Sequence, residues 1–592
     1  MVLASEKCFH PDWIQLEEID MTAATWRFGK ELLGKIWRWF ALHPNWTLTL
    51  AVLAALVPFL TKPFNIDEPM FVWAARQIHA HPVNPYGFEA NWYGEAMPMW
   101  KNLWDPPLAC YYLATAAALC GWSEVALHAA FLLPALAAIL GTYRLARHFC
   151  DHPMLAALVT LFTPVFLVSS TTVMCDVPML AFWVWATVLW VEGMERDSFW
   201  RLAGSALLVS LATMTKHFGV SLIPLLAVYS LISKRQSARW AFCLLIPLAT
   251  LLLYQWITDV LYGQGLLFNA GSHATNYREA HGHSALIVGL TSLTFTGGCL
   301  ASAVLFAPLL WRARVLAVFA TGTILMVTAL FVNGAIFKRF PLIQDASRPW
   351  VEVQIVFWAI GGVCVLALAV ADVLHGCNPR SWLLVLWVSG TLLFTSLFNW
   401  DVNGRSILPM APAVGILLAR RLERNASTTE KTRACALPVC LTVGALLALL
   451  VARADFLLAT AVRLSAQQTC ARYAHQQGTL WFQGHWGFQH YMEAFGASAL
   501  DFARSPLKPG DALAVPVNNT NLLPPKPPMI RSQEILAVSG PYLLTTMSET
   551  AGAGFYAAVW GPLPFVFGRI PLEGVSVSVL RPLAPVSSQS PQ

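Results

Sequence analysis

About thirteen apolar runs, each near the length of a bilayer-crossing helix, recur along this chain and leave few ways for it to fold. They are 46–61, 124–145, 153–172, 177–194, 199–214, 220–232, 240–257, 285–310, 315–332, 351–373, 382–398, 407–422 and 435–451. Lipid offers the backbone no hydrogen-bond partner, so a spanning segment must be a helix or part of a closed barrel. Of the 592 residues, 57% are hydrophobic and 12% charged, against about 25% charged in a soluble domain. The expected fold is a polytopic α-helical membrane protein. A net charge of +6 without a basic stripe points away from nucleic acid as a partner. The twelve cysteines show neither C-x-x-C pairs nor metal-ligand spacing. Cys110 and Cys175 could meet in an oxidising space, but free thiols are the expectation.

Charge sets the orientation. The run 106–121 is apolar but short. If it crossed the membrane, the Arg144-Leu145-Ala146-Arg147-His148 cluster would lie outside. If it lies in the interface, one side collects Arg144/Arg147, Arg196/Arg201, Lys234/Arg235/Arg239, Arg312/Arg314, Arg380 and the run 420–433. That is the positive-inside pattern, so 106–121 is read as a juxtamembrane helix on the outer face. Residues 1–45, with Arg27, Lys30, Lys35 and Arg38 among Trp26, Trp37 and Trp39, form a cytoplasmic basic and aromatic segment. Residues 46–453 form the membrane domain, and 62–122 its large first outer loop. Residues 454–584 alternate helix-like and strand-like stretches and are expected to form a small periplasmic α/β domain. The tail 585–592 is expected to be disordered. The protein is thus placed in the inner (plasma) membrane.

Three features share the outer face in this topology. Asp67-Glu68 follow the first span and precede a helical stretch, 70–79, that would hold both carboxylates near its N-terminus. Asp176 lies in the turn Thr172-Val173-Met174-Cys175-Asp176-Val177-Pro178. Lys101, Lys216, Arg278, Lys338, Arg339, Arg348 and Arg405 are cations on the side where cations are normally depleted, and several lie at headgroup depth. Each has a plainer explanation. Asp67 or Glu68 could cap the following helix, Asp176 could be a solvated turn residue, and the cations could snorkel. Lys216 and Arg405 fit that last account least, because apolar sequence flanks each closely. Trp481-Phe482-Gln483-Gly484-His485-Trp486-Gly487-Phe488-Gln489-His490-Tyr491 gathers aromatic, His and amide groups suited to sugar. Filling a small core is the plainer expectation, and His485 is carried as a minor substrate-binding candidate.

Together the carboxylates and cations suit glycosyl transfer from a lipid phosphate. Cations would stabilise the departing phosphate, with Lys101, Lys216, Arg278 and Arg405 as candidates. A carboxylate would take the proton of the acceptor hydroxyl, with Asp67 as the base and Glu68 as its neighbour. One such base implies inversion at the anomeric carbon. Asp176 would position the base or the acceptor. Asp67 and Asp176 are also the candidates to hold a divalent cation (Mg or Mn), if one is used.

The segment Phe64-Asn65-Ile66-Asp67-Glu68-Pro69-Met70-Phe71-Val72-Trp73-Ala74 resembles the first outer loop of membrane glycosyltransferases with the C-type fold. The likeness is to the protein O-mannosyltransferase-like family and the bacterial lipid A aminoarabinose transferases. It extends to a second outer Asp at Asp176, to Met214-Thr215-Lys216-His217-Phe218-Gly219, and to Arg405-Ser406-Ile407-Leu408-Pro409. Around Trp104-Asp105-Pro106-Pro107 the chain departs from the aminoarabinose transferases, with Pro106 where they carry lysine; Lys101 is the candidate substitute. Ser406 stands where a tyrosine is common. The resemblance implies a C-type fold and a polyprenyl-phosphate-linked sugar donor. The acceptor would be a glycan, a lipid or a protein. The alternatives are a transporter, whose ionisable sites would lie near the bilayer midplane, and a non-catalytic assembly factor of an envelope polysaccharide pathway.

Overall fold

The computed structural model describes residues 42–233, 238–281, 284–332, 334–425, 430–540 and 542–581. Most of the 1–45 segment, Lys234 and Arg235, part of the run 420–433 and the tail 585–592 lie outside the described residues. Seven described helices are long and apolar enough to cross a membrane, and an eighth is formed if the pair Pro153–Leu161 and Pro164–Ser170, bent by 62°, counts as one span. Shorter apolar helices include Pro44–Phe59, Leu108–Cys120, Phe199–Thr215, His217–Ile232 and Ala285–Cys299. The chain is therefore a polytopic helical membrane protein, and each predicted span is met by a helix or a broken helix.

The breaks have local causes. At Thr163-Pro164 the proline cannot donate to the preceding turn, and the Thr163 side chain accepts from Phe166 N instead, capping a new helix. That second helix ends in the turn leading to Asp176, the first residue of helix Asp176–Arg196. At Lys216 the backbone is extended between helix Phe199–Thr215 and the tight turn His217–Ser221.

Charged groups gather at two poles. At one, Arg144 bonds Glu192, Arg380 bonds Glu195, and Arg420 and Arg424 both bond Asp372. Glu124 and Arg144 lie at opposite ends of one helix, as do Asp176 and Glu192. Glu124, Asp176 and the loops around them therefore form the other pole. Both ends of helix Leu108–Cys120 lie near that second pole. Asp105 before it accepts from Cys175, and Glu124 after it accepts from Tyr491, whose own oxygen takes the Phe64 N–H. Cys110 and Cys175 are both buried and free.

The expected boundary at 454 falls inside one continuous helix, Glu430–Tyr473. Beyond it, Leu480–Phe482, Ser498–Ala499 and Ala512–Pro516 pair in parallel, and Glu573–Leu580 joins Ala512–Pro516 and Ile530–Val538 antiparallel. Phe482, Phe488, Tyr491, Val575 and Val577 pack here against Ala466 and Cys470 of the long helix. The described residues from Ala51 onward group together, with the sheet packed against this long helix.

Candidate active site

Asp67 occupies the N-cap position of helix Glu68–Ala80, yet its side chain makes no capping bond. Its Oδ2 instead lies 3.0 Å from Arg405 Nη2. The preceding residue, Ile66, has φ of +49°, a left-handed conformation that a β-branched residue adopts only at a cost. Strain of that kind persists when surrounding contacts over-determine it, and here Glu68 supplies them. Fully buried, Glu68 accepts from Asn65 N at 2.7 Å through Oε2 and from Val173 N at 2.9 Å through Oε1. It ties the Asp67 turn to the turn that precedes Asp176.

The C-terminal segment braces the same turn. Phe64 N donates to Tyr491 Oη at 2.8 Å. Gly487 approaches so closely that a Cβ there would stand 2.3 Å from the Phe64 carbonyl oxygen. Much of the 481–491 motif is thus spent on core packing and on docking against residues 64–65. His485 is 3% exposed and ringed by Trp92, Tyr93 and Trp486. Its Nε2 meets Thr520 Oγ1, and burial pushes the imidazole down to about 3, so it is neutral near pH 7.

Asp176 and Lys216 form an ion pair, Oδ1 to Nζ 2.5 Å. Among the described residues the buried Asp176 Oδ2 has no partner. Arg405 sits in the short helix Gly404–Ile407, capped by Asn403, whose side chain accepts from Ser406 N. Besides Asp67, its guanidinium meets Met174 Sδ at 3.3 Å and lies over the Tyr556 ring, while its Nε is buried and unpartnered. Tyr556 donates to Asp455 Oδ2, which also receives Lys62 Nζ at 2.6 Å; Lys62 and Asp455 are fully buried. A chain of contacts therefore runs from the buried Lys62, Asp455 and Tyr556 to the partly exposed Arg405 and Asp67.

Burial raises the Asp67 carboxyl above its ordinary range and Arg405 opposes this, while the neighbouring charges of Asp105 and Asp176 raise it further. Asp105 is a member that the sequence reading quoted but did not select. A carboxylate directly before Pro106-Pro107 and an apolar helix was the available signal. His217 was also missed; its Nε2 meets the Trp104 carbonyl at 2.9 Å beside these groups. Tyr556 and Asp455 carried no sequence signal, being distant in the chain from Asp67, and Lys62, five positions before Asp67, pairs with Asp455 across 393 positions.

The remaining candidates lie apart. Lys101 is exposed, with its ammonium over the Trp100 ring. Arg278 donates to the Asn399 carbonyl at 3.0 Å and influences Asp401 rather than Asp67. Among the described residues no three His, Cys, Asp or Glu side chains converge as metal ligands. Asp67 and Asp176, the candidates for that role, each face a cation.

Residues 105–262 match the family model described as dolichyl-phosphate-mannose-protein mannosyltransferase. No curated protein matches the chain. Among solved structures, the oligosaccharyltransferase AglB from Archaeoglobus fulgidus, in complex with an inhibitory peptide and a dolichol-phosphate, aligns with a TM-score of 0.45 at 13% identity. That alignment covers 78% of this chain and 65% of AglB, so the chain spans just under two thirds of that relative's length. ArnT from Cupriavidus metallidurans, bound to undecaprenyl phosphate, aligns with a TM-score of 0.46 at 13% identity over 81% of this chain and 93% of ArnT. The family match contains Asp105, Asp176 and Lys216, three members of the cluster built around Asp67. Over residues 105–262 this polytopic membrane protein is similar to the dolichyl-phosphate-mannose-protein mannosyltransferase family, which is the kinship the Asp67-Glu68 segment implied.

Proposed function

We propose that the protein transfers a sugar, with inversion, from a polyprenyl-phosphate donor to an acceptor hydroxyl at the outer face of the inner membrane. The observation that carries this reading is the pairing of Asp67 with Arg405 beside the Asp176–Lys216 pair. One potential base and two cations thus lie within a single cluster.

In this reading Asp67 takes the acceptor hydroxyl's proton. The freed oxygen attacks the anomeric carbon from the face opposite the phosphate. The bond from that carbon to the phosphate oxygen breaks, its electron pair stays with the phosphate, and polyprenyl phosphate departs. Arg405 and Lys216 stabilise that charge as it develops, and the unpartnered Arg405 Nε has a donor free for a phosphate oxygen. A raised Asp67 pKa suits a base, because it strengthens proton affinity while keeping the ionised form accessible. Asp176 holds Lys216 and offers its open Oδ2 to the acceptor. Glu68, with both oxygens given to backbone amides, positions Asp67 rather than reacting.

About thirteen spans, with the Arg144 pole in the cytoplasm and the 454–584 segment outside, complete the proposal. Asp67→Asn is the test. It should abolish sugar transfer from a polyprenyl-phosphate donor while protein level and membrane insertion stay unchanged. Full activity in that variant would remove Asp67 as the base.

A further inference from the structure

A second site opens along helix Glu68–Ala80, beyond the turn that carries Asp67. It is a cavity of about 460 Å³ between that helix, the hairpin Glu89–Asn91/Ala96–Pro98 and helix Trp486–Ala494. Its size falls in the range of small-ligand pockets, roughly 300–1,000 Å³. Trp73, Arg76, Phe88, Asn91, Gln489 and Glu493 line it, and none of them belongs to the carboxylate and cation cluster.

Gln489 is the informative member. It is 2% exposed, and its Nε2 donates to the Asn91 carbonyl and to Glu493 Oε1, each at 2.8 Å. Both partners are acceptors, which fixes the amide's orientation and leaves Oε1 as the acceptor. Among the described residues that buried Oε1 has no partner. Buried polar atoms are ordinarily satisfied, so a donor brought by a ligand fits here. Arg76, exposed, supplies donors, and Glu493 supplies an acceptor. Trp73 is held edge-to-face against Trp92 at 5.6 Å, and Phe88 adds a second aromatic ring. Glu89 also lines the cavity, so its lining carries one guanidinium, which lies over the Trp122 ring, and two carboxylates. That balance disfavours a phosphate or an anionic headgroup.

Interleaved donors and acceptors beside aromatic rings, without excess positive charge, suit a ligand dense in hydroxyls and carrying C–H faces. We propose that this cavity is a glycan subsite. It would hold a neutral sugar ring of an oligosaccharide acceptor whose reacting hydroxyl reaches Asp67. Trp73 lies six positions beyond Asp67 on the same helix, about 9 Å of rise, close enough for one oligosaccharide to engage both. The inference narrows the acceptor of the transfer reading to a glycan and rests on that reading for the link to Asp67, while binding itself does not.

The full-length protein in nanodiscs, titrated with mannotetraose, cellotetraose, maltotetraose and chitotetraose under saturation-transfer NMR, tests this directly. At least one should bind. Gln489→Leu and Trp73→Ala should each weaken it tenfold or more, whereas Asp67→Asn should lose transfer. Thermal melting separates lost binding from lost folding, and Glu493→Gln offers a milder third probe should Trp73→Ala fail to fold. Binding of no tetrasaccharide, binding indifferent to Gln489→Leu, or a Trp73-dependent serine- and threonine-rich octapeptide in their place would overturn the subsite. Retained transfer in Asp67→Asn would instead overturn the catalytic reading and leave a glycan-binding cavity standing.

Discussion

Glu68 Oε1 accepts the Val173 amide hydrogen across 2.9 Å, joining two turns that lie over a hundred residues apart. Through its other oxygen the same carboxylate holds Asn65 N, so one buried side chain fixes both Ile66 and the approach to Asp176. Glu68→Gln replaces one acceptor oxygen with an NH2 group facing a backbone donor. Leaving that amide unsatisfied costs about 1–3 kcal/mol. The variant should melt at lower temperature and lose kcat, while the acid limb of its pH–rate profile stays put. Movement of that limb would give Glu68 a direct part in proton transfer.

The pH dependence of transfer can be signed from the neighbours of Asp67. A base must be ionised, and burial raises the pKa of Asp67. Activity should therefore fall, as pH is lowered, at a pH above the ordinary Asp range. Asp105 raises that pKa and Arg405 lowers it. Asp105→Asn should move the acid limb to lower pH, and Arg405→Gln should move it higher while reducing kcat about 10²–10³-fold, as for loss of one charge-stabilising donor. Steady-state rates measured across pH in both variants check the two opposite shifts.

Lys62 and Asp455 form a fully buried pair. Removing one partner strands a charge, which typically costs about 3–5 kcal/mol. Lys62→Met alone should strongly destabilise the protein. The double variant Lys62→Met/Asp455→Leu should recover part of that loss, but not activity, because Tyr556 loses the acceptor that holds it beneath Arg405. Thermal unfolding and transfer rate, measured on the singles and the double, separate the two effects.

Reporter fusions after Arg147 and after Arg581 test the orientation. The first should report cytoplasm and the second the opposite side. An outer-side signal after Arg147 with a cytoplasmic one after Arg581 would invert the site's face and end the outer-face reading.

The membrane character of the chain was legible in sequence because hydrocarbon imposes its demand on each segment alone: a long apolar stretch must be helical wherever its neighbours lie. Asp67, Asp176, Lys216 and Arg405 were legible for a related reason, since a charge beside a lipid-facing run is costly and stands out. Arg278 and Lys101 satisfied the same criterion, yet lie apart from the cluster. Span ends reveal depth in the membrane, not position around the bundle. The partners of Asp67 were settled only by tertiary structure. Arg405 reaches it from 338 positions away in the chain, and Tyr556, Asp455 and Lys62 complete the buried support. Glu68, read from sequence as the neighbour of Asp67, meets backbone amides through both its oxygens only once the chain is folded. Apolarity is a local property and can be read locally, whereas the pairing of buried charges depends on which distant segments share one pole of the helical bundle.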